Sequence, residues 1–229
     1  MLAPDPADRA YCVDLVKAND EDLALALNYV GPAARPRVEA LYALAVELRR
    51  VPQAVREPPI GEIRLQWWRD ALDEARAAAG GGDVRAHPTV RLLAASGAVD
   101  ARVRDIAEAG VDARARLLYG EPFAGADELR VFFANAEGWL AAALSTSDPD
   151  AARAAAADYA LARWGRTLVT TLDLGEAPRR APPSACADEA ASLAYVALAR
   201  GYAKRAAGAP WPALKRLTLL RAVAFGPHA

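Results

Sequence analysis

The sequence predicts an all-α protein, and three observations carry that prediction. Apolar residues recur at three- and four-residue steps, proline and glycine punctuate the ends of those runs, and period-two alternation never lasts beyond four or five positions. No 20- to 50-residue period repeats, which disfavours a helical solenoid. With 229 residues and no evident linker, the expectation is a single-domain helical bundle over 1–229.

The elements follow in chain order. A helix is predicted over 20–29, with Asp5-Pro6 and Gly31-Pro32 as boundaries on either side. In the next, 33–51, Val38, Leu41, Ala45, Leu48, Val51 and Val55 fall on one face. Pro52 lacks an N–H and crowds the preceding turn, so a kink or stop is expected near Val51. Pro58-Pro59 separates this helix from 60–79, where Leu65, Trp68, Leu72 and Ala75 form a stripe that Ile63, Trp67 and Ala71 widen. Two adjacent stripes imply burial on more than one side. Gly80-Gly81-Gly82 reads as a loop; no strand precedes it and no G-K-[ST] follows, so it is no phosphate cradle. Helices over 100–119, 127–145, 149–174, 188–207 and 212–223 complete the chain. Asp148 before Pro149 has the form of an N-cap with proline at the first helical position.

Composition excludes several function classes. A net charge of −1 steers the chain toward neither nucleic acid nor an anionic surface as a whole, and no nucleic-acid partner is expected. Mean hydropathy is only +0.01, the 54% hydrophobic fraction being inflated by alanine. Cys12 and Cys186 stand alone, with only His87 and His228 to join them, so a zinc site is not expected. Both thiols are expected to be buried and reduced. Residues 1–9 carry Pro4, Asp5, Pro6 and Asp8, unlike a signal peptide, and no run approaches the roughly 18 apolar residues of a membrane span. The expected location is cytoplasmic, with contact at a membrane surface left open.

Residues 38–76, VEALYALAVELRRVPQAVREPPIGEIRLQWWRDALDEAR, resemble the squalene/phytoene synthase family, the all-helical enzymes that join two prenyl diphosphates head to head. Over roughly 15–225 the resemblance implies an isoprenoid synthase fold, shortened at its C-terminal end. In that family two aspartates four apart hold Mg²⁺, which binds the substrate diphosphate; i and i+4 share a helix face, and hard Mg²⁺ wants oxygen ligands. Ala40-Leu41-Tyr42-Ala43-Leu44 matches the helix leading into that motif, which places the aspartate positions on Arg49 and Gln53 and a substrate-contacting arginine on Val46. Glu39, Glu47 and Glu57 are the only acids between Arg37 and Glu57, and none are four apart. The second motif falls in 167–180, TLVTTLDLGEAPRR, on Leu174 and Pro178 or, in another register, on Glu176 and Arg180. Asp173 and Glu176 are the acids of that segment, three apart. The wording around 47–72 looks closest to a non-canonical branch that includes a mitochondrial complex I assembly factor.

Simple structural roles account for most of the remaining residues. Trp67 and Trp68 are expected in the core, since aromatics dominate helix interfaces by buried area. Arg69 and Asp73, four apart, suit a surface pair. Arg49 and Arg50 suit a solvated helix C-terminus. Glu137, the acid amid Val131-Phe132-Phe133 and Trp139-Leu140, suits an exposed face. If a ligand is bound, Arg49, Tyr42, Trp67 and Glu137 are the candidates to contact it. Consecutive helical residues stand about 100° apart, so only one of Arg49 and Arg50 faces inward, and Arg49 matches the first aspartate.

The sequence therefore leads to a squalene/phytoene synthase-like protein with no catalytic or metal-ligating residues assigned. It would act by binding, either an isoprenoid or lipid ligand or a protein partner in membrane-complex assembly. The alternative is an active prenyltransferase with a rebuilt diphosphate site, and Mg²⁺ is expected only on that reading.

Overall fold

Asp5 starts the first helix, its side chain accepting from the Ala7 N–H at 2.8 Å. That helix, α1 (Pro6–Asn19), ends at Asp20, which in turn caps α2 (Glu21–Leu27) by accepting from the N–H groups of Asp22 and Leu23. One residue thus closes one helix and opens the next. The computed structural model describes residues 4–78, 83–169, 186–204 and 210–225. Those residues contain no strand, and they divide into two compact units, Met1–Gly120 and Glu121–Ala229.

The first unit continues with α3 (Arg35–Gln53), α4 (Pro58–Ala77), α5 (Pro88–Ala95) and α6 (Ala101–Tyr119). Neither α1 nor α5 was expected. The apolar residues of α1 are sparse, and two of its charges do the anchoring that a hydrophobic stripe would otherwise do. Asp8, buried, accepts from Arg91 of α5 at 2.8 Å, and Arg9 donates to buried Glu39 of α3 at 2.8 and 3.0 Å. α3 runs past Val51 to Gln53 with Pro52 inside it. A proline in the last turn removes only its own N–H bond, and the Ala54 N–H still reaches Arg50 O at 2.9 Å. α4 and α6 pack so closely that a Cβ on Gly61 would lie 2.3 Å from Leu118 Cδ2. Gly120, at φ 64°, stops α6 in the left-handed conformation that glycine adopts without strain.

The second unit holds α7 (Ala126–Ala136), α8 (Gly138–Leu144), α9 (Pro149–Leu168), α10 (Ala187–Leu193), a 3-10 segment Ala194–Leu198, α11 (Ala199–Ala203) and α12 (Pro212–Phe225). The continuous helix expected over 127–145 is broken at Glu137. There the chain folds Gly138 onto α9, where a Cβ would stand 2.8 Å from the Arg153 carbonyl oxygen. Asp148 caps α9 as expected, accepting from the Ala151 N–H at 2.9 Å. α9 is the hub, touching α7, α8 and α11, and it offers them Ala152, Ala155, Ala156, Ala157 and Ala160. Small side chains let neighbouring backbones approach closely. The helix expected over 188–207 is interrupted by the 3-10 segment, where packing buries Ala194, Tyr195, Val196 and Leu198 together and overrides the helical repeat. Its Tyr195 and Tyr202 of α11 both meet the Tyr159 ring edge-on.

One buried carboxylate organises the turn after α8. Glu189 accepts from the hydroxyls of Ser145, Thr146 and Ser147 at 2.7, 3.0 and 2.9 Å, and from the N–H groups of Thr146 and Ser147 at 2.9 and 3.2 Å. Cys12 is buried as expected, but Cys186 is exposed, because it occupies the N-cap position of α10 rather than an inward face. The Gly80-Gly81-Gly82 loop and Asp173, Leu174, Glu176, Pro178 and Arg180 lie outside the described residues.

Candidate functional site

A groove of about 390 Å³ opens in the first unit between the C-terminal half of α3, the N-terminal half of α4 and the residue that precedes α5. Glu47, Arg50, Val51 and Ala54 come from α3 and its end, Ile63, Arg64, Trp67 and Trp68 from α4, and His87 from the start of α5. The spacing explains the α3 wall: positions 47, 50, 51 and 54 recur at three and four residues and so share a helix face.

The floor is aromatic. Trp67 and Trp68 meet edge-on with centroids 4.9 Å apart, and the His87 ring stands 5.5 and 5.4 Å from them. Trp68 is buried in the core as expected, whereas Trp67 is half-exposed and walls the groove. Arg85 holds Trp67 in place: its guanidinium lies 4.5 Å from the ring centroid and donates to the Trp67 carbonyl oxygen at 2.8 Å, while Glu74 fixes its other edge.

Polar groups line one side. Glu47 accepts from the Tyr11 hydroxyl at 3.1 Å and from Arg50 at 3.5 Å, and His87 Nε2 stands 3.9 Å away, beyond hydrogen-bond reach. Burial lowers the His87 pKa, with Arg91 adding to the effect and Glu47 and Asp8 opposing it, so the imidazole is neutral near pH 7. Burial raises the Tyr11 hydroxyl pKa, and the Glu47 charge adds to the shift. With His87 neutral, Arg50 and Arg64 outweigh Glu47, and the groove joins apolar walls to a cationic rim.

The four residues singled out from the sequence do not converge. Trp67 lines the groove. Tyr42 is fully buried in the core of the first unit. Glu137 sits at the α7–α8 break of the second unit, half-buried, not on the exposed face of a continuous helix. Arg49 donates to Asp20 at 2.5 Å with its side chain 17% exposed, so the reading of a solvated helix end holds for Arg50 and not for Arg49. The residue of that pair on the groove is Arg50. Arg69 and Asp73 do not pair with each other either. α6 runs alongside α4 and supplies better partners, Asp112 to Arg69 at 2.6 Å and Arg104 to Asp73 at 2.8 Å. Glu47, His87 and Tyr11 were missed; the 47–50–51–54 spacing carried the signal for Glu47, while His87 reaches the groove through packing that local sequence does not encode.

The Mg²⁺ that the family resemblance implies does not fit the first motif. Its two positions hold a guanidinium and an amide, Arg49 and Gln53, and the nearby carboxylate of Asp20 is taken up by Arg49 and by the α2 cap. A fixed cation beside the carboxylate repels a divalent ion from it.

Among the described residues the protein is all-α, and its first unit carries a groove with an aromatic floor and a cationic rim. Residues 16–162 match the family model described as squalene/phytoene synthase, and the chain belongs to that family. It is also 32% identical over 69 residues to the rat (Rattus norvegicus) protein "NADH dehydrogenase (ubiquinone) complex I, assembly factor 6". That match covers 30% of this chain and 21% of the relative's length. No solved structure matches the chain. No helix among the described residues is long and apolar enough to cross a membrane.

Proposed function

We propose that this squalene/phytoene synthase-like protein works by binding and not by metal-dependent prenyl transfer. The observation that carries the reading is the Arg49–Asp20 ion pair at the position the resemblance gives to a metal-binding aspartate. Ionising an allylic diphosphate needs metal-neutralised charge on the leaving group. A guanidinium at 2.5 Å from the nearest carboxylate removes that carboxylate from metal duty. The ligand is an isoprenoid or lipid with an apolar chain and an anionic head. Trp67, Val51 and Ile63 would take the chain, and Arg50 and Arg64 would take the head through guanidinium hydrogen bonds. Arg50 replaces Arg49 in that role, and no metal is required.

The test uses farnesyl diphosphate with and without Mg²⁺. The expected result is an upward shift of the melting temperature that does not depend on Mg²⁺, since a native-state ligand stabilises by mass action. Arg50→Ala should weaken binding roughly ten-fold, the order of one charge-assisted hydrogen bond, and no pyrophosphate should be released above background. Mg²⁺-dependent turnover would establish the alternative, a prenyltransferase with a rebuilt diphosphate site.

A second reading has its own support. The 69-residue likeness to a complex I assembly factor favours a role in assembling a membrane complex. Pull-down from the native host that recovers respiratory-complex subunits would support it, and a clean pull-down would count against it.

A further inference from the structure

The helix α12 shows apolar side chains on both its faces. Lys215, Leu219 and Ala222 form the inward stripe, at 2%, 0% and 5% exposure, and pack against the rest of the second unit. At about 100° per residue, Leu217 points almost directly away from that stripe, with Leu214 and Leu220 on either side of it. These three leucines are 52%, 47% and 51% exposed, and Trp211, just before the helix, is 71% exposed. Arg221 lies between Leu217 and Leu214 on the outer face, and Arg216 borders Leu220; both are exposed.

Charge says what such a face meets. All 29 acidic residues of the chain precede residue 190, whereas 190–229 carries Arg200, Lys204, Arg205, Lys215, Arg216 and Arg221. A chain with net charge −1 has thus put an acid-free, cationic stretch where Trp211 and three exposed leucines stand together. An anionic headgroup layer is negative along the whole of such a face, which an acid-free cationic stretch complements. Exposed leucines among arginines, with a tryptophan at one end, match the anatomy of a helix lying in the headgroup layer of an anionic bilayer. Tryptophan sits at the headgroup level, leucine enters the acyl boundary, and arginine reaches lipid phosphates.

We propose that the outer face of α12, through Trp211, Leu214, Leu217 and Leu220 flanked by Arg216 and Arg221, docks the protein onto the surface of an anionic lipid membrane. The contact is interfacial and reversible, since no helix among the described residues is able to span. It does not depend on the groove of the first unit or on whether the protein is catalytic.

Flotation with phosphatidylcholine vesicles, with or without phosphatidylglycerol, tests the proposal on the full chain. The protein should float with the mixed vesicles, stay behind with phosphatidylcholine alone, and be released by high salt. Leu217→Ser with Leu220→Ser should reduce binding at least ten-fold, and Arg216→Gln and Arg221→Gln roughly five-fold each, the order of one cation near an anionic surface. All four positions are exposed, and an unchanged far-ultraviolet circular dichroism spectrum would show that the variants fold. As a second readout, lipid-borne bromine should quench part of the tryptophan emission, and Trp211→Phe should remove that part. Absence of flotation with anionic vesicles would overturn the proposal, as would binding that survives the double leucine substitution. Self-association abolished by that substitution, with no vesicle binding, would also overturn it by assigning the face to a second protein chain.

Discussion

Replacing Glu189 separates what its charge does from what its shape does. Its Oε1 accepts from two backbone N–H groups, those of Thr146 and Ser147, and from the buried Ser145 hydroxyl; its Oε2 accepts from the hydroxyls of Thr146 and Ser147. Backbone donors cannot reverse, whereas hydroxyls rotate and can accept instead. In Glu189→Gln the amide oxygen takes the Oε1 place and the amide nitrogen donates to the two hydroxyls, so the network survives without its charge. That substitution should cost about 1 kcal/mol, the difference between charged and neutral acceptors. Glu189→Ala strips all five bonds. The Ser145 hydroxyl is buried and loses the carboxylate it donates to, at about 1.5–3 kcal/mol, while Thr146 and Ser147 are exposed and recover part of their bonding from water. The expected total is about 3–4 kcal/mol. Urea unfolding followed by far-ultraviolet circular dichroism gives both values from the midpoints and the slope. Equal losses in the two variants, or an alanine variant within about 1 kcal/mol of the parent, would refute the account, because either result would mean the oxygens are not organising the turn.

Three further outcomes follow from the first unit and from the cysteines. Arg49→Ala should destabilise by about 2–4 kcal/mol, since it removes a guanidinium that stands 2.5 Å from the 1%-exposed Asp20 carboxylate, whereas Arg50→Ala should stay within about 0.5 kcal/mol; denaturant midpoints of both variants check the contrast. Because burial holds the His87 pKa below its unfolded value, the unfolded state binds the extra proton first, so stability present above about pH 6.5 is lost as pH falls toward the folded pKa. His87→Gln should lose less stability than the parent between about pH 7.5 and 5.5 in the same measurement. A thiol reagent should titrate Cys186 quickly and leave Cys12 untouched until the protein unfolds, since burial pushes the Cys12 thiol up to about 12; two fast thiols in the native protein would contradict this.

Strongly periodic elements were legible in the sequence, and weakly patterned ones were not. α3 and α4 announced themselves by stripes and by Pro58-Pro59, and Asp148-Pro149 marked the start of α9. α1 escaped because charges anchor it: Asp8 and Arg9 bind Arg91 and Glu39, partners 83 and 30 residues away that no local window contains. The break at Glu137 escaped for a related reason, since the close approach of Gly138 to Arg153 is a tertiary fact. At the groove, the α3 wall lay in the spacing of Glu47, Arg50, Val51 and Ala54. The choice between Arg49 and Arg50 did not, because the Asp20 that draws Arg49 aside is 29 residues upstream.

The alanines of α9 shape how the second unit answers to temperature. Alanine surrenders no side-chain rotamers on folding, so the buried alanines of this hub add nothing to the backbone's entropic cost of ordering. Alanine also removes little apolar area from water, and that area governs the rise in heat capacity on unfolding. A layer cemented by close backbone approach in place of large side chains therefore has a shallow stability curve, changing less between cold and warm conditions than a leucine-rich core of equal size would.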